Sequence, residues 1–218
     1  MTEPSEQLPR VLWLGVALLL GFLVLGYLTS LVEIDQKQHQ PLPVLGKVAD
    51  FTLTNQDGKA VTLADLSNRV WVADIIFTRC AGPCPTITGY MKTLEDTLPS
   101  NSRARLVTLT TDPDYDSPDI MKKYGEHFGA DFSRWYFLTG TKAQIGALAQ
   151  SSLKLGSVPV KPEDQKNAAD LFVHTTIFVA VDKHGRLRDA FETMGDGIDW
   201  TNVRPQIISA VHQLELER

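Results

Sequence analysis

Cys80 and Cys84 are the only cysteines in a chain of 218 residues, and they stand together in the string FTRCAGPCP. The run before them, VWVADIIF at 70–77, is apolar and β-rich and predicts a buried central strand, while 86–98 predicts a helix. The thiols therefore occupy a strand-to-helix junction. A spacing of four puts two side chains on one helix face, where both sulfurs can meet one soft metal ion, or bond each other if the first turn is distorted. The N–H groups that open a helix favour negative charge, which predicts a lowered pKa and partial thiolate character for at least one thiol. Metal binding and thiol redox chemistry are both open at this point. A pair of inert buried cysteines is the plain alternative, and Gly82 and Pro83 between them argue against it. A purely stabilising disulfide is a poor third reading, because so short a loop removes little entropy from the unfolded chain.

The elements that must position this pair follow from the pattern around it. Residues 50–63 alternate apolar and polar on either side of Asp57-Gly58, as a hairpin does. After the cysteines, 105–109 reads as a second buried strand and 116–128 as a helix opened by Ser117-Pro118. The pattern repeats with a strand at 135–140, a helix at 141–152 and a strand at 175–182 that turns at Lys183-His184-Gly185. Its partner is 186–191, and 202–216 is a terminal helix. Strands alternating with helices and closed by a hairpin predict an α/β domain with a mixed central sheet. The segment 152–170 has little periodicity and holds Pro159 and Pro162, which predicts an exposed loop near the site.

The N-terminal quarter is of another kind. Val11 to Val32 carries no charge over 22 residues, and as a helix it would measure about 33 Å, enough to cross a hydrocarbon core of about 30 Å. It exceeds a signal-peptide core and no A-x-A-like cleavage site follows, so an uncleaved anchor is preferred over a leader or a buried core helix. The expected organisation is a short cytoplasmic tail at 1–10, a transmembrane anchor at 11–32, a polar spacer at 33–47 and a soluble domain at 48–218. With 21 basic against 26 acidic residues the net charge is −5, which excludes a basic nucleic-acid module. Arg10 precedes the span and Lys37 and Lys47 follow it, so charge alone does not orient it. The short tail holds two glutamates, unlike an organelle transit peptide, and the protein reads as bacterial in type.

Four strings in one order resemble the Sco/SenC family of membrane-anchored, thioredoxin-like copper proteins. FTRCAGPCP is similar to the family's F-T-x-C-x-x-x-C-P, and TTDPDYDSPDIMKKY to its S-x-D-P-x-x-D-T-P segment. WYFLTGTKAQI is similar to its W-x-F-L-T-G strand, and VHTTIFVAVDKHGRL to the block that carries its histidine. The preceding ADFTLTNQDGKAVTLADL resembles the wider thioredoxin-like and peroxiredoxin-like superfamily. The resemblance implies copper, Cu(I) and also Cu(II), held by Cys80, Cys84 and His174. It places Asp112 at the family's acidic position near the metal, as outer-shell support rather than a ligand. A bare Asp-Pro-Asp string would otherwise read as a turn or a helix cap.

A lone histidine before a β-rich run is ordinarily a hydrogen-bonded structural residue. Thioredoxin-type oxidoreductases, however, carry a cis-proline at the start of this strand, facing the cysteine pair. Here the string is Val173-His174-Thr175, and histidine in place of proline fits a metal ligand better than a peptide clamp. The trio Ala81-Gly82-Pro83 between the cysteines departs from the family's usual residues, as do Val173 and Lys183, while the three ligands stay intact. His39, His127, His184 and His212 read as solvated or structural residues.

Two functions follow as expectations. The first, implied by the resemblance, is a copper chaperone of the bacterial inner membrane, facing the periplasm, that delivers copper to the binuclear centre of cytochrome c oxidase subunit II. It would take its cargo from an upstream copper donor and be kept reduced by a thioredoxin-like partner. The second is a thiol–disulfide oxidoreductase acting on envelope proteins through Cys80 and Cys84 as redox-active residues. A peroxidase of the peroxiredoxin type ranks last, since its P-x-x-x-T-x-x-C environment is missing from the sequence.

Overall fold

The computed structural model describes residues 7–38, 41–155 and 176–217, and the chain divides into two units after Pro41. The described residues of the first unit include the helix α1 (Gln7–Gln38). Its stretch Leu12–Ser30 has a mean hydropathy of 2.2 and contains no buried residue, and it is long and apolar enough to cross a membrane. The helix continues through 33–38, where the sequence suggested an extended spacer. EIDQKQ contains no residue that breaks a helix, and the prolines come only at 41 and 43.

Among its described residues the second unit contains eight strands: β1 (Gly46–Lys47), β2 (Thr52–Asn55), β3 (Ala60–Thr62), β4 (Trp71–Ile76), β5 (Arg105–Thr110), β6 (Trp135–Thr139), β7 (Ile177–Val181) and β8 (Arg186–Glu192). They make one sheet in the order β1-β8-β7-β4-β5-β6-β2-β3. Pairing is parallel from β4 to β5 and from β5 to β6, and antiparallel elsewhere, which is the mixed sheet the sequence predicts. The helices are α2 (Leu63–Leu66), α3 (Cys84–Thr97), α4 (Pro118–His127), α5 (Lys142–Gly146) and α6 (Trp200–Leu216), with a π-helical turn at Ala147–Ser152 after α5.

All six residues of β4 are buried, because the sheet is covered on both faces. Side chains alternate across it. Val72 and Ile76 belong to the cluster that contains Cys80, Cys84, Met91 and Leu106, while Trp71, Ala73 and Ile75 belong to the cluster on the other side with Val107 and Leu148. At the rim, the buried Arg188 guanidinium donates to Asp182 at 2.8 Å, to Glu217 at 2.5 Å and to the carbonyl of Pro43 at 3.1 Å. One side chain thus ties the first residues of the domain to its last turn.

The predicted hairpin turns at Gly58, whose φ of +72° is a conformation other residues resist. Helix α4 starts at Pro118, two residues after the predicted opening, with the Ser117 hydroxyl accepting from the Ile120 N–H. The opening of the predicted loop at 152–170 is not exposed: Ser152, Leu153 and Leu155 are buried against the sheet. The rest of that loop, 156–170, lies outside the described residues.

Candidate metal centre

Strand β4 ends at Ile76, and the chain turns at once, with the Cys80 N–H donating to the Phe77 carbonyl at 3.2 Å. Pro83, its φ fixed near the helical value, then leads into α3, which opens on Cys84 itself. Cys80 therefore lies before the helix, and the two thiols do not share a helical face as their spacing suggested. They meet because the turn folds Cys80 back toward the first helical residue. The two thiols lie close enough that Cys80 raises the Cys84 pKa, and the Cys80 sulfur accepts from the Gly82 N–H at 3.4 Å. Both cysteines are buried free thiols, while Ala81 and Gly82 between them are exposed.

The expected lowering of a thiol pKa fails at Cys84. Burial pushes this thiol well above its ordinary value, the Phe77 backbone opposes the rise, and the Cys80 thiol adds to it. Desolvation at 2% exposure outweighs the helix N-terminus. Cys84 in the metal-free protein is a thiol that becomes a thiolate only when a cation replaces its proton.

The loop before Cys80 is fixed by the segment after β5. Asp116, fully buried, accepts from the Thr78 N–H at 3.1 Å and from the Thr78 and Thr110 hydroxyls. Asp112 accepts from the Arg79 guanidinium at 2.5 Å, and its own N–H donates to the Thr110 hydroxyl at 2.9 Å. Arg79 also lies over the ring of Tyr115, 4.0 Å from its centroid. Asp112 thereby stands one residue's partner away from Cys80. Beneath the pair, the Thr88 hydroxyl donates to the Cys84 carbonyl and shares a 2.9 Å hydrogen bond with the Tyr124 hydroxyl.

His174 lies outside the described residues. Among the described residues no third histidine, cysteine or carboxylate completes a cluster with the two thiols. Two soft sulfurs held within reach of each other suit Cu(I), and the donor set leaves room for one further ligand.

Sequence reading missed Asp116, Thr78 and Asp74. Asp116 follows Asp112 by four residues in the same string, and four-residue spacing across a turn was a usable signal. Asp74 was legible in another way. It is a carboxylate inside an apolar run that becomes a fully buried strand, where burying a charge is costly.

With this geometry in view, the SCO1/SenC family model matches residues 41–203 of the chain. A SCO1 protein homolog from Bacillus subtilis is 35% identical over 147 residues, covering 66% of this chain and 73% of that protein. The structure of BsSco, described as having a disulfide switch and as a member of the Sco family of cytochrome c oxidase assembly proteins, is 31% identical with a TM-score of 0.67. That match covers 82% of this chain and all of BsSco. The structure of yeast Sco1 with copper bound is 25% identical with a TM-score of 0.61, covering 78% of this chain and 90% of that one. The shared architecture is the thioredoxin-like α/β domain with a mixed sheet.

Proposed function

The chain belongs to the SCO1/SenC family, and from that premise we propose that it binds copper and delivers it to the binuclear copper centre of cytochrome c oxidase. Cys80 and Cys84 are the thiolate ligands in this reading, His174 is the third ligand, and Asp112 supports the site from outside the ligand shell. The observation that carries it is the pair of buried free thiols at the strand-to-helix junction, separated in the chain by the exposed Ala81 and Gly82. The copper-bound yeast relative supports the choice of metal.

Copper is cargo here, so it must enter and leave. Cys80 is on a loop and Cys84 on a helix, and exchange starts on the loop side, where an incoming soft ligand displaces one sulfur while the other still holds the ion. A low coordination number makes this associative path accessible for Cu(I). The apolar helix α1 supports a single-pass anchor in the bacterial inner membrane with the domain in the periplasm. Donor and recipient then share a membrane, which raises their effective concentration without new contacts. The recipient is subunit II of the oxidase, and an upstream copper donor supplies the site.

Thiol–disulfide exchange is the second reading, favoured by the contact between the two thiols and by the disulfide switch of BsSco. A thioredoxin-like reductant would then return the pair to the dithiol. His174→Ala separates the two: copper binding is lost while thiol exchange with a model disulfide is retained. Unchanged copper binding in that variant would remove His174 from the ligand set.

A further inference from the structure

The end of the sheet opposite the cysteines gathers cations strand by strand. Lys47 closes β1 in register with Arg186, the first residue of β8. Lys183 lies in the turn between β7 and β8, where its carbonyl accepts from the Asn68 N–H at 3.0 Å. Arg69 precedes β4, Arg103 and Arg105 stand at the start of β5, and Arg134 precedes β6. These three parallel strands start level, since the Arg105 N–H donates to the Val70 carbonyl and the Leu106 N–H to the Arg134 carbonyl, each at 2.9 Å. From there β4 runs about 20 Å to Ile76 and the cysteine loop.

The carboxylates at this end are engaged elsewhere. Asp182 pairs with Arg186 and Arg188, and Glu217 with Arg188. Glu215 accepts from the Ser102 hydroxyl and the Arg103 N–H. Asp131 accepts from the Ser133 N–H at 2.8 Å and offsets Arg134 only in part, from beyond ion-pair distance. Among the described residues Lys47, Arg69, Arg103, Arg105, Arg134 and Lys183 form no ion pair. At the cysteine end, by contrast, Arg79 is paired with Asp112 and Lys142 with Asp114.

Exposed apolar side chains collect at the same end. Among the described residues of the second unit, the large apolar side chains that are exposed are Val44, Leu45, Leu216 and Tyr115. Only Tyr115 belongs to the cysteine end, where Arg79 lies over its ring. The Leu45 N–H donates to the Leu187 carbonyl, next to Arg186, and Glu217, next to Leu216, shares the Arg188 guanidinium with the carbonyls of Leu42 and Pro43. The chain therefore enters the domain at its cationic end. Gln38, the last residue of α1, and Leu42 are four residues apart, a reach of at most about 14 Å.

Taking α1 as a membrane anchor, we propose that this end of the domain docks on the anionic lipid headgroups of the same membrane. Lys47, Arg69, Arg103, Arg134 and Lys183 meet lipid phosphate, while Val44, Leu45 and Leu216 enter the boundary between headgroups and acyl chains. Each contact is weak alone, but the short tether keeps the surface at high effective concentration over the lipid. The cysteine loop, at the far end of β4, is then held facing away from the bilayer and open to a partner.

Side-chain labelling tests this on the full-length protein, reconstituted in nanodiscs of phosphatidylcholine alone or with about one-third phosphatidylglycerol. Acetylation by an N-hydroxysuccinimide ester, read by mass spectrometry, should slow about tenfold at Lys47 and Lys183 in the anionic discs and stay unchanged at Lys142. Raising NaCl to about 0.5 M should restore labelling. The triple variant Arg103→Glu, Val44→Ser, Leu45→Ser changes exposed side chains only and should lose the protection of Lys47 and Lys183. Equal labelling of wild-type Lys47 and Lys183 in the two kinds of disc would overturn the proposal, and so would equal protection of Lys142 or protection that survives the triple variant. Protein that still purifies with the discs in those cases leaves the anchor standing, whereas protein that associates with neither disc overturns both.

Discussion

Asp116 grips Thr78 twice, accepting from its N–H at 3.1 Å and from its hydroxyl, and Thr78 stands two residues before Cys80. The segment between β5 and α4 that carries Asp116 thus sets the position of the cysteine loop. A third hydrogen bond, from the Thr110 hydroxyl, ties this arrangement to the end of β5.

Asp116→Ala should therefore act on the site without touching a sulfur. It leaves the Thr78 N–H and two hydroxyls without their acceptor, at a cost of about 1–3 kcal/mol. Copper affinity should fall as well, because the loop no longer holds Cys80 against Cys84. Urea unfolding and Cu(I) competition measure the two effects, and unchanged affinity in a folded variant would show that the loop positions itself.

Asp112→Ala should weaken copper binding by roughly 10- to 100-fold if Asp112 supports the site from outside the ligands. Its stability cost should be small, about 0–1 kcal/mol, since its partner Arg79 is 41% exposed. Arg79→Ala with wild-type Asp112 completes the comparison. Identical copper affinities in all three proteins would return Asp112 to the role of a turn residue.

Much of this was legible in the chain. VWVADIIF announced a buried central strand because its residues alternate between two covered faces, and FTRCAGPCP marked the site at its end. What stayed hidden was the relation between the thiols. Spacing of four implies a shared helical face only if both residues are helical, and Pro83 starts the helix too late for Cys80. The rise of the Cys84 pKa was equally hidden, since helix position is local while burial depends on β4, α3 and α4 packing together. The clamp of Arg188 on Asp182, Glu217 and Pro43 joins residues that are distant in sequence, and no local pattern encodes it.

That clamp carries its own prediction. Arg188→Ala leaves Asp182, at 2% exposure, without a buried partner and frees the carbonyls of Leu42 and Pro43. Arg186 still pairs with Asp182 at 2.7 Å, so the loss should fall at the lower end of the usual 3–5 kcal/mol, about 3. The midpoint of urea unfolding is the measurement, and a shift of less than about 1 kcal/mol would mean that Arg186 suffices.

Stability should also depend on pH through Asp74. Its pKa is about 7 in the folded protein against an ordinary value of 3.8, so between these values the native state binds a proton that the unfolded chain does not. The stabilisation is fully present below about pH 4 and is lost as the pH rises through 7, a change on the order of a few kcal/mol. Asp74→Asn should flatten this slope, so that the metal-free variant gains on the wild type between pH 5 and pH 8. Parallel slopes in urea unfolding at the two pH values would show that Asp74 is not the group responsible.

The central claim is that Cys80 and Cys84 together hold copper, and Cu(I) affinity measured against a competing chromophoric chelator tests it most directly. The full-length wild type in detergent should bind one Cu(I) per chain, and the Cys80→Ser, Cys84→Ser double variant should lose affinity by roughly a thousandfold or more, about 4 kcal/mol. Circular dichroism confirms that the variant is folded. Wild-type affinity in a folded double variant would contradict the account.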